Sequence, residues 1–120
     1  MQSKRQDLSE RLLDFAASGI KLTVKLNRSA VGRYIASQLT RASASAGANY
    51  EEACRAESKA DFVHKMQLVL KESRESLYWL KLAEIAELVS ANDLQPLLHR
   101  ADELVRIVAK SVITARGGGK

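Results

Sequence analysis

Four times along this chain, apolar or small residues return at alternating steps of three and four, the period of a helix with one buried stripe. In the first stretch the stripe is Leu8, Leu12, Phe15, Gly19, Leu22 and Leu26; in the second it is Ile35, Leu39, Ala42, Ala46, Asn49 and Ala53. The third reads Phe62, Met66, Val69, Ser73, Leu77 and Leu80, and the fourth Leu94, Leu97, Ala101, Val105, Val108 and Val112. No strand pattern competes, and proline occurs once, at Pro96. The expected helices span 8–26, 30–56, 59–89 and 93–115. Asp7 with Glu10, or Ser3 with Gln6, offers a capping-box start, and Ser58 with Asp61 resembles another cap pair. Asn27-Arg28-Ser29 reads as a turn. Asp93 is expected to cap the last helix, with Pro96 in its first turn, where no backbone donor is needed. The link at Glu57-Ser58 is short enough to force the second and third helices antiparallel. The expected fold class is therefore all-α, an antiparallel up-down four-helix bundle. It forms a single domain over residues 1–116, with 117–120 as a flexible glycine-rich tail.

The third helix carries a second apolar stripe on its far side, through Leu68, Trp79, Leu82, Ala86 and Val89. A helix apolar on two faces is buried on two faces. Either it sits centrally and touches two neighbours, or the second stripe meets another subunit. On the second reading Leu68, Trp79 and Leu82 form an oligomer interface. The second helix has the opposite character: its stripe is small, so neighbours approach closely but little apolar area is buried per residue.

Charge is unevenly distributed. The net charge is +5, and residues 1–49 alone hold eight basic and three acidic side chains. Between Phe15 and Asn49 there is no acid, but there are Lys21, Lys25, Arg28, Arg33 and Arg41. Lys21, Lys25 and Arg28 follow an i, i+4, i+7 spacing that puts them on one side of the first helix, away from its seam. With Arg33, Arg41 and Arg116 they are the candidate contacts for nucleic acid. Phosphate contacts of this kind give affinity without sequence preference, and no stacking aromatics stand beside them. The alternative is a solvated face that aids solubility.

Groups with chemical potential are few. Asn49 falls on the small seam and must find hydrogen-bond partners, Ser45 and Tyr50 being candidates; a buried polar residue of this kind fixes helix register. Arg41 and Glu75 should lie at similar heights on the hairpin of helices two and three and form a cross-helix ion pair. Asp61 and His64 have the i, i+3 spacing of di-metal bundles, but the second such motif is missing: Pro96 stands three residues before His99. Cys54, the single cysteine, has no supporting base and reads as a packed thiol in a reducing cytoplasm. Glu51, Glu52, Glu72 and Glu75 read as surface and interface charges. Gly117–Gly119 follows no strand and is not a phosphate loop. No apolar run approaches the length of a membrane span. A soluble, cytoplasmic protein with no catalytic residues, no metal and no cofactor is expected.

The stretch from Gln38 to Ala53, Gln-Leu-Thr-Arg-Ala-Ser-Ala-Ser-Ala-Gly-Ala-Asn-Tyr-Glu-Glu-Ala, is distinctive. So are Ser58–Lys65 and Lys71–Leu80, the latter Lys-Glu-Ser-Arg-Glu-Ser-Leu-Tyr-Trp-Leu. They resemble a bacterial family of four-helix bundle proteins first noted as products of intervening sequences in 23S rRNA genes. That family is related to the accessory variability determinants of diversity-generating retroelements. The likeness runs from about Asp7 to Val112. Thr40-Arg41-Ala42 and Asn27 depart from the usual pattern and bear on turn details. The resemblance implies an up-down bundle assembled as a homopentamer. For the retroelement relatives it also implies a basic surface that binds nucleic acid and a partner reverse transcriptase. The alternative function is a structural or protein-interaction bundle with no nucleic-acid role.

Overall fold

Serine hydroxyls start three of the helices. Ser29, Ser58 and Ser90 all have extended backbone, and each side chain accepts from the N–H three residues on, at Gly32, Asp61 and Asp93. Each hydroxyl satisfies one of the donors a helix start leaves open. In the computed structural model, which describes residues 4–117 and the side chains from Asp7 onward, the helices are α1 (Lys4–Leu26), α2 (Ala30–Ala53), α3 (Lys59–Ile85) and α4 (Ala91–Ala115). Ser3 and the tail beyond Gly117 lie outside the described residues. Consecutive helices pack against each other and α4 returns to α1, so the chain is an up-down bundle measuring 45 × 28 × 23 Å.

Four boundaries differ from expectation. The first helix already runs at Lys4, so Asp7 lies in its first turn rather than capping it. The second helix ends at Ala53, where Cys54 caps it. The third ends at Ile85 rather than Val89, because Glu87 turns into the left-handed region at φ 56°. Its N–H donates to Glu84 and that of Leu88 to Ala83, both at 3.0 Å, the paired bonds of a Schellman turn. The fourth starts at Ala91 and is capped by Ser90, with Asp93 accepting a hydrogen bond from the Ser90 hydroxyl at 2.9 Å. Pro96 therefore stands in the second turn, where it removes the donor that Asn92's carbonyl would use. Both residues are exposed, so the lost bond lies on the solvent side of the helix.

All six expected α1 seam residues are buried, as are Ile35, Leu39, Ala42, Ala46 and Ala53 of α2. The α3 seam is Met66, Val69, Ser73, Ser76, Leu80 and Ala83. Leu77, assigned to the seam, is only half-buried and Ser76 takes its place; in α4, Leu104 replaces Val105 in the same way. Gly32 is required by a close approach: a Cβ there would lie 1.8 Å from the Leu26 carbonyl oxygen at the α1–α2 turn.

Candidate nucleic-acid interface

The up-down path puts the end of α1, the start of α2 and the start of α4 at one end of the bundle, with Arg116 at the other. Lys21 and Lys25 lie on the side of α1 that faces α4. With Ser18 and Leu22 they line a groove whose other wall is Asp93, Pro96, Leu97 and Arg100. The groove continues past Arg11, Asp14 and Glu103. Arg100 donates to the Ser18 hydroxyl at 3.1 Å, and Arg11 pairs with Glu103 across the same groove. Lys25 pairs with Asp93 at 2.8 Å. Its ammonium, with the Ser90 hydroxyl, holds the Asp93 carboxyl below the ordinary carboxylate value. Lys21 and Arg100 face each other in the groove without a carboxylate ion pair among the described residues.

The other candidates do not join this site. Arg28 lies in the α1–α2 turn and lines a cleft with Lys25, Glu84, Glu87 and Asp93, where acids outnumber bases. Arg33 lines a shallow cleft on the α1–α2 side with Thr23, Asn27, Ser37 and Arg41. Arg41 forms the expected cross-helix pair with Glu75, at 2.7 Å, and a second with Glu72 at 3.2 Å. The hydrogen bond to Glu72, and then the charge of both carboxylates, raises the Arg41 pKa further. Glu72 also accepts from Ser45 at 3.1 Å, and Asn49 donates to the Ser45 carbonyl at 2.9 Å and hydroxyl at 3.1 Å. The five residues form one polar strap across α2 and α3, and Asn49, half-buried rather than on the seam, belongs to it. Arg116 caps α4 through its backbone N–H. It is separated from Lys25 by nearly the length of α4, about 37 Å at 1.5 Å per residue.

Arg100 is the groove-lining cation missed in the sequence. It belongs to a helix with ordinary charge balance, and only the return of α4 to α1 brings it to Lys21. Among the described residues no group of three histidine, cysteine or carboxylate side chains could hold a metal ion; His64 is exposed and Asp61 half-buried. No helix of the described residues is long and apolar enough to cross a membrane. The α3 stripe divides: Leu68 and Trp79 are half-buried, Trp79 packing on the core, while Leu82 is 36% exposed.

Fold and surface together define a small up-down helical bundle with charge-lined grooves between its helices. The chain belongs to the 23S rRNA-intervening sequence protein family, which matches residues 4–110. A crystal structure of a protein with unknown function from the S23 ribosomal protein family of Bacteroides thetaiotaomicron VPI-5482 is similar to it. That protein shares 28% identity and superposes with a TM-score of 0.80, covering 88% of this chain and 97% of its own. No curated protein matches the chain.

Proposed function

We propose that this bundle is a non-catalytic, homo-oligomeric accessory protein that binds nucleic acid through the α1–α4 groove. The observation that carries the reading is that Lys21 and Arg100 line opposite walls of that groove beside the Ser18 hydroxyl, and that Asp93, the carboxylate in the same lining, is taken by Lys25. Two cations on opposite walls fit a phosphate between them, and phosphate contacts supply affinity without reading sequence. A pentamer, as the resemblance implies, repeats the groove five times, and modest single-site attraction then adds through avidity. A reverse transcriptase is the protein partner implied by the retroelement relatives.

The test is a gel shift with duplex DNA and with structured RNA at several salt concentrations. Binding should fall steeply with salt through counterion release. Lys21→Glu with Arg100→Glu should weaken binding to every sequence alike, without unfolding the bundle. If that variant binds as well as the unmodified protein, the groove is not the site and Arg33 is the next surface. If the unmodified protein gives no shift at low salt, the bundle is a structural or protein-interaction module. That second reading is favoured by one observation: carboxylates already hold Lys25 and Arg41.

A further inference from the structure

We infer that the apolar groove between α1 and α2 receives the aromatic ridge between α2 and α3 of a second copy of this chain, in a head-to-tail contact. The inference rests on the homo-oligomer of the function proposed above and names its two surfaces. α1 has an apolar stripe besides its core seam. Leu13, Ile20 and Val24 are 69%, 51% and 73% exposed and stand on the side of α1 that faces out past α2. Leu13, Ala17 and Ile20 form one wall of a groove of about 520 Å³, and Ala44, Gly47 and Ala48 form the other. The small residues of α2 make this surface concave. A groove of this kind, open along two helices and rimmed by polar groups, marks a protein contact.

The second surface is a cluster of exposed rings. Tyr34 of α2 and Tyr78 of α3 both meet Trp79 edge-on, with ring centroids 5.8 and 5.3 Å apart. Both tyrosines are exposed, and Leu82 adjoins them one turn on from Tyr78. Two grooves cannot fill each other, whereas exposed rings can enter one, so shape favours groove against ridge.

Charge favours the same pairing. Among the described residues Glu51 is the one charged residue lining the groove, and at its α1 edge exposed Asp14 and Lys21 offset each other one turn either side of Ala17. Arg74 and Lys81 lie one turn either side of Tyr78, and Lys71 one turn further; all three are exposed. The charge lining the groove is therefore acidic and the ridge basic, which attracts unlike surfaces and opposes like ones. Because the contact is heterologous, every open assembly keeps a free groove at one end and a free ridge at the other until a ring closes. The two surfaces lie on neighbouring faces that share α2, so successive copies turn relative to one another, as ring closure requires.

The experiment uses two single variants, Ile20→Asp in the groove and Tyr78→Asp on the ridge, measured by light scattering without nucleic acid. Leu13→Asp and Leu82→Asp form a second pair, and circular dichroism selects the variants that remain helical. The unmodified protein should show a mass several times 13.2 kDa, and each variant alone should fall to a monomer. Mixed one to one, the groove variant supplies an intact ridge and the ridge variant an intact groove. The mixture should therefore form a pair of twice the monomer mass and stop there, since its outer surfaces carry aspartate against aspartate. A mixture that stays monomeric, or variants that keep the unmodified mass, overturns the assignment of surfaces while leaving the oligomer standing. A monomeric unmodified protein overturns the oligomer and this inference together.

Discussion

Glu87 ends α3 in a conformation that favours glycine, and replacing it with glycine should stabilise the bundle. At φ 56° a Cβ crowds the following carbonyl oxygen, which costs roughly 1–2 kcal/mol. The carboxylate also stands at a helix C-terminus, where the macrodipole disfavours an anion by about 0.3–1 kcal/mol. The side chain is exposed, so little packing is lost with it. Against these gains, glycine adds roughly 0.5–1 kcal/mol of chain freedom to the unfolded state. The balance for Glu87→Gly is a gain of about 1 kcal/mol. Urea unfolding at one fixed protein concentration measures it, so that self-association contributes alike to each protein. Glu87→Gln, which removes the charge but keeps the Cβ, should gain only a few tenths of a kcal/mol, roughly the dipole share. If the glycine variant is no more stable than the glutamine one, the left-handed turn is not strained and the reasoning fails.

Truncating the α3 seam should separate Leu80, which is 0% exposed, from half-buried Leu77. Leu80→Ala should cost about 2–5 kcal/mol and Leu77→Ala clearly less, while Lys21→Ala should change denaturant midpoints little. Gly32→Ala should destabilise by about 1–3 kcal/mol despite alanine's better helix propensity, because backbone rather than a mobile side chain blocks the Cβ; a thermal melt decides it. Asp93 is held below its unfolded value by Lys25 and Ser90. Its contribution is complete above the unfolded pKa of about 4 and lost as pH falls through the folded one. The stability gap between the unmodified protein and Asp93→Asn should therefore be present at neutral pH and close below about pH 4; urea midpoints across an acid series check it.

The bundle was legible in the sequence because its seams are long and their period unambiguous; the local errors have identifiable physical causes. Ser90 and Asp93 are both good caps three residues apart, and the choice between them depends on which backbone turns. Leu77 was taken for the seam because it is large. The expected seam takes two steps of four in succession, from Val69 to Ser73 to Leu77, whereas the buried residues of α3 keep a strict alternation of three and four through Ser73, Ser76, Leu80 and Ala83, so the small Ser76 turns inward instead. Glu87 gave no sign of a left-handed turn, since that position is usually glycine. The Arg41–Glu75 pair was legible because a short hairpin sets the heights of its two helices. The site was less so: a run of cations does not say which carboxylate lies opposite, and Asp93 reaches Lys25 only through the return of α4. The exposed stripe on α1 has no aromatic to mark it, whereas the one on α3 contains Trp79, which packs largely inward.

The order in which the helices touch bears on how the chain folds. α1–α2, α2–α3 and α3–α4 are each joined by a short turn, and only the much slighter α1–α4 contact connects distant parts of the chain. Such low contact order belongs to fast folders. The α2–α3 hairpin, strapped by Arg41 with Glu72 and Glu75 and by Lys65 with Glu52 at 3.0 Å, is the natural nucleus. The meeting of α1 with α4 is then the last step, and the seam between them the first to open. Amide protons of α1 and α4 should exchange through partial openings that leave those of α2 and α3 protected. The groove assigned to nucleic acid would lie on the least rigid seam of the bundle, and a phosphate held between Lys21 and Arg100 would join its two walls and slow that exchange.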